Sequence, residues 1–149
     1  MHYFSKFLNV NFKDAVSATR QSLEAHNLKI LVEIDLRDAL RKHLAADFRT
    51  YVILGACNLP LAQRAIHADE NIGSILLCNV VVQEHEGRGV EISVVDPDST
   101  IGTINHVDLK STARELRALV QHAIDDVEAV AKSQRLLRDG EAGNHALAL

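Results

Sequence analysis

Apolar positions recur at two spacings in this chain, every second residue and every third or fourth, and the switches between them mark out the elements. Tyr3 to Val10 alternates loosely through aromatic and aliphatic residues, which predicts a first strand. Asn11 stands as a helix cap with Asp14 three residues on, and Phe12, Ala15, Val16, Thr19 and Leu23 fall on one helical face. His26-Asn27 ends that helix, and Leu28 to Ile34 (LKILVEI) alternates as a half-buried second strand. Asp35 is placed to cap a short helix in which Leu36, Ala39, Leu40 and Leu44 share a face.

Arg49 to Cys57 is the third strand, and its nearly continuous apolar run Tyr51-Val52-Ile53-Leu54 predicts cover on both faces. Pro60 suits the first turn of a helix that packs through Leu61, Ala62, Ala65 and Ile66 and stops before Gly73. Ser74 to Gln83 is a fourth strand, and Val90 to Val95 returns from the Glu86-Gly87-Arg88-Gly89 turn as a fifth. Asp96-Pro97-Asp98 breaks the pattern and Ser99 to His106 is loop. From about Asp108 to Leu137, the residues Leu109, Thr112, Leu116, Leu119, Ala123, Val127 and Val130 step by three or four, near a heptad seam. Such a helix spans ~45 Å, so its C-terminal half should overhang or pack on another subunit. The expectation is one domain over residues 1–137 and a flexible tail over 138–149.

The order β-α-β-α-β-α-β-β-α describes an α+β fold, with helices packed on one side of a mainly antiparallel or mixed sheet and a long C-terminal helix. Composition narrows the class. With 149 residues, 47% hydrophobic and 24% charged, the chain has the make-up of one globular domain. A net charge of -4 and 4% aromatics, with no Trp, argue against a nucleic-acid partner. No apolar run approaches the ~20 residues of a membrane span, and no secretory leader is visible, so the expected setting is cytoplasmic.

Chemistry concentrates in one stretch. Ile53-Leu54-Gly55-Ala56-Cys57-Asn58 is echoed by Ile75-Leu76-Leu77-Cys78-Asn79, each an apolar run ending in Cys-Asn. If the third and fourth strands are neighbours, both thiols stand at the mouth of one pocket. A helix starting near Leu59 would bring its N-terminus to Cys57. The plainer reading makes both thiols small buried hydrophobes. Asn58 and Asn79 either satisfy backbone groups, Asn58 by capping the next helix, or line a pocket. Glu33 and Asp35 share one strand face as a possible acid/base pair. Asp35 also has a cap to make, and Glu33 has Arg49 or Lys42 as candidate partners. No C-x-x-C, H-x-x-x-H or H-E-x-x-H spacing occurs, so no metal site is expected, and no cofactor or phosphate loop is indicated.

On these residues the chain resembles the domain-of-unknown-function family 302 of bacteria and archaea. The matching segments are Glu33-Ile34-Asp35, Asp47-Phe48-Arg49, Tyr51 through Asn58, Ile72-Gly73, Leu76 through Val82, and Asp96-Pro97. The resemblance covers about Tyr3 to Val130. Two departures flank the cysteines: Leu59 intervenes between Asn58 and Pro60, and Leu77 stands where the family usually has proline. The resemblance implies an α+β domain similar to known homodimers, with no established activity. It draws Glu33, Asp35, Arg49, Cys57, Asn58, Cys78 and Asn79 together as a shared constellation.

The resulting expectation is a homodimeric binding domain that is not an enzyme. It would hold a small polar ligand or a partner in a pocket near the two Cys-Asn segments, with the long helices packed between subunits. One alternative is a thiol-dependent enzyme or redox protein using Cys57 with Cys78. Another is a purely structural interaction module.

Overall fold

Short polar side chains start three of the helices. The computed structural model describes residues 2–148, and the side-chain surroundings of residues 2–143. Asn11 Oδ1 accepts from the Asp14 amide at 2.8 Å, Asp35 Oδ1 from the Asp38 amide at 2.9 Å, and Asn58 Oδ1 from the Leu61 amide at 3.0 Å. These caps begin α1 (Phe12–Ala25), α2 (Leu36–Leu44) and α3 (Leu59–Ala68). With β1 (Tyr3–Leu8), β2 (Lys29–Asp35), β3 (Tyr51–Cys57), β4 (Cys78–His85), β5 (Gly89–Val95) and α4 (Val107–Ala148), the expected element order holds.

The five strands form one open sheet in the order β1-β5-β4-β3-β2, antiparallel at every pairing. The β4–β5 hairpin turns where expected. Gly89 takes φ 88°, and a Cβ there would lie 2.6 Å from the Leu8 carbonyl oxygen of the neighbouring strand. Leu8, Val90, Ile92, Val80, Val82 and Leu54 project from one sheet face into a core closed by α1 and α4. The Ser22 hydroxyl ties those helices by donating to the Ala123 carbonyl at 2.5 Å.

The other face is uncovered, and this corrects two expectations. β3 and β4 are apolar along their length, yet Tyr51, Ile53 and Val81 on the outer side are only half-buried. Their apolar runs mark an open apolar face, not helices on both sides. β2 is not half-buried either: all of it except Ile30 is exposed, because it is an edge strand with a bulge at Leu31. Ile30 opposes Ala56 on the core side, but Val32 opposes Gly55 and Ile34 opposes Ile53 on the outer side. One extra residue therefore flips the later apolar positions outward.

One boundary and two packing expectations also differ. β4 begins at Cys78, not Ser74, because Ile72–Ile75 forms a 3₁₀ turn. Ile66 of α3 is exposed while Ala62 and Ala65 are buried. α2 fully buries none of its residues: Leu36, Ala39 and Leu40 on its shared apolar face are half-buried, and Leu44 is exposed.

The long helix departs most. Leu109, Thr112, Leu116, Ala123 and Val127 are buried in the chain's own core, so the seam needs no second subunit to cover it. α4 also runs past its expected end at Leu137 to Ala148, a helix of 42 residues. Arg138 binds Asp14 on α1 through two bonds of 2.9 Å, which ties this extension to the body. Of the expected tail over 138–149, Leu149 lies outside the described residues. Among the described residues, no helix is long and apolar enough to cross a membrane.

Candidate functional site

β3 and β4 are neighbours, with Cys78 registered opposite Ala56 and Cys57 one residue further on. The two Cys-Asn segments therefore reach the same end of the sheet, but they do not share a pocket. Cys78 and Asn79 line a cavity of about 420 Å³ with Tyr3, Leu77, Val81, Ser93, Val94, Thr100, Ile101 and Leu116. The residues before β4 wrap one side of it, and the 3₁₀ turns Pro97–Ser99 and Ile101–Thr103 wrap another. Cys57 and Asn58 line a broader groove of about 1030 Å³ among Leu28, Leu59, Leu61 and Leu119. The expected single pocket is thus two, one around Cys78 and Asn79 and one around Cys57 and Asn58.

Both cysteines are free and buried. Burial raises the Cys57 thiol above its ordinary pKa, and burial reinforced by the nearby Cys57 pushes Cys78 up to about 12. Neither carries the depressed pKa of an activated nucleophile.

The two asparagines divide their roles. Asn58 is occupied: its Oδ1 caps α3, and its amide donates to the Asn27 carbonyl at 3.1 Å. Asn79 is exposed on the rim of its cavity and makes no side-chain hydrogen bond among the described residues. Ser93, half-buried on β5, likewise leaves its hydroxyl unengaged among the described residues.

The remaining three predicted site residues lie elsewhere. The bulge turns Glu33 toward α1, where it pairs with Arg20 at 2.5 Å, not with Arg49 or Lys42. Lys42 instead pairs with Asp38 one turn away. Asp35 shares Glu33's side of β2 but is held by the α2 cap. Arg49 donates through Nε and Nη2 to Gln83 Oε1 at 3.0 and 2.8 Å, with its guanidinium 4.5 Å from the Phe48 ring centroid. The constellation of seven is therefore spread over four places.

Sequence reasoning missed a polar strip on the open face. Gln83 opposes Glu91 across the hairpin, and His85 Nε2 lies 2.6 Å from Glu91 Oε2. Arg88 covers the Phe7 ring at 5.4 Å. The signal was present in the turn at Glu86–Gly89, which sets Gln83, His85 and Glu91 on one face. Also missed was Asp96, buried beside the smaller cavity, which accepts from Arg117 Nε at 3.0 Å and from the Asp98 amide. Among the described residues, no three His, Cys, Asp or Glu side chains come together as a metal site.

The family model described as domain of unknown function DUF302 matches residues 4–127. No curated protein matches the chain. A crystal structure of an uncharacterized conserved DUF302 protein from Bacillus stearothermophilus is similar, at 22% identity over 84% of this chain and 97% of that one. Its TM-score of 0.76 is a likeness of fold.

Proposed function

The chain belongs to the DUF302 family, and from that premise we propose a homodimeric domain that holds a small polar ligand in the cavity beside Cys78 and Asn79. One observation carries this reading. The cavity is concave and largely apolar, and Asn79 and Ser93 bring to it polar groups that no other described residue engages. Ligand sites are built in this way, from apolar walls and a few convergent polar groups. The domain acts by binding, not by catalysis, and its free thiols suit a reducing cytoplasm.

The uncovered sheet face supports the dimer. Tyr3, Val32 and Ile34 are 56%, 39% and 42% exposed, and single-sided apolar patches of this kind mark association surfaces. Tyr3, Val81 and Val95 belong both to this face and to the cavity wall, so a partner seated on the face would also close the cavity.

Burial counts against the thiol-enzyme alternative, since it raises both cysteine pKa values. Native mass spectrometry beside a denatured control tests the proposal. A dimer carrying a small-molecule adduct that Asn79→Ala releases supports it. A monomer overturns the dimer, and a dimer that neither carries nor takes up any adduct leaves a structural interaction module.

A further inference from the structure

Resting on that reading, we infer that the cavity beside Cys78 takes an uncharged amphiphile: a ring or short alkyl body carrying one neutral hydrogen-bonding head. Among the described residues that line it there is no Asp, Glu, Lys, Arg or His. The nearest buried charge, Asp96, is already committed to Arg117 and to the Asp98 amide. An ionic ligand would lose its hydration in this space without gaining a counter-charge, which is costly, whereas a neutral head loses far less.

The polar groups match a neutral head. The Ser93 hydroxyl and Asn79 amide can each donate and accept, so an amide or alcohol finds both partners there. The Ser74 and Thr100 hydroxyls donate to the Asn71 and Pro97 carbonyls, at 3.1 and 3.3 Å, and so offer the cavity only acceptor lone pairs. The Cys78 thiol is protonated at neutral pH, which adds no charge. Leu77, Val94, Ile101 and Leu116 supply the wall for the apolar body. At about 420 Å³ the space lies in the lower part of the range for small-molecule sites.

The test uses three probes of one shape on the full chain at neutral pH: 2-phenylacetamide, phenylacetate and 2-phenylethylammonium. Backbone amide shifts at Asn79, Val81 and Ser93 report binding. We expect saturable shifts with 2-phenylacetamide, an affinity at least tenfold above either ion, and loss of the shifts in Ser93→Leu, which fills the cavity. Val81→Phe repeats the blockade if Ser93→Leu does not fold. Equal or tighter binding of either ion overturns the neutral class but leaves the ligand site standing. Shifts that persist in a folded blocked variant place the probe elsewhere and overturn the inference. No saturable shift from any probe overturns both the inference and the ligand site.

Discussion

Val32 lies so close over Gly55 that a Cβ on Gly55 would stand 2.4 Å from Val32 Cγ1. The bulge at Leu31 creates this approach by turning Val32 to the outer face opposite Gly55. Glycine is therefore required at position 55 for room. Gly55→Ala is expected to destabilise the fold by about 1–3 kcal/mol through overpacking, measured by urea denaturation. Val32→Ala should restore part of that loss, so the double variant should cost less than the sum of the singles. A Gly55→Ala protein as stable as the parent would show that β2 does not press on β3.

Asp14 and Arg138 give the fold an acid-sensitive tie between the start of α1 and the far part of α4. The Arg138 guanidinium hydrogen-bonds the Asp14 carboxylate and holds its pKa below the ordinary aspartate value. Because the folded pKa is the lower one, the tie contributes stability above the unfolded pKa. That contribution fades as pH falls through the folded pKa. Arg138→Ala should therefore lower Tm at pH 7 and converge with the parent near pH 2–3, the difference being small for an exposed pair. A gap in Tm unchanged from pH 7 to pH 2 would mean that charge is not what Arg138 contributes.

What could be read from the chain alone was what nearby residues decide. Asn11, Asp35 and Asn58 as caps, and the hairpin turn at Gly87–Gly89, depend on residues within four positions, and all appear as expected. The single bulge at Leu31 was not legible, because a slip of register leaves the apolar count of LKILVEI unchanged. Nor was the edge position of β2, which strand order alone decides. The α4 periodicity was visible, but a seam does not name its partner, and here it is the chain's own sheet and α1. Glu33 shows the same limit: its partner Arg20 lies on another element, whereas the candidates read from sequence were chosen on charge.

The buried thiols make a direct chemical expectation. Cys78, with its pKa pushed up to about 12, should resist iodoacetamide in the native protein at pH 8, and Cys57 should be slow for the same reason. Both should react at ordinary rates once the chain is unfolded in guanidinium. Alkylation of native Cys57 with an apparent pKa well below ~8.5 would restore the thiol enzyme as the leading reading.

The open face and the long helix make opposite claims about where a second copy sits, and surface charge separates them. Val32 and Ile34 project from the edge of the uncovered sheet, whereas Leu136 and Leu137 are exposed on the far part of α4. Lysines on an edge strand are a natural block to association, and a lysine forced into an apolar interface is desolvated without a partner. Val32→Lys with Ile34→Lys should weaken a dimer at least about 100-fold, ~2.7 kcal/mol, and yield a folded monomer by sedimentation velocity at micromolar concentration. Leu136→Lys with Leu137→Lys should leave the dimer intact. The reverse pattern would return the interface to α4 despite the burial of its seam. It would also detach dimer formation from the cavity, since only a partner on the sheet face meets Tyr3, Val81 and Val95.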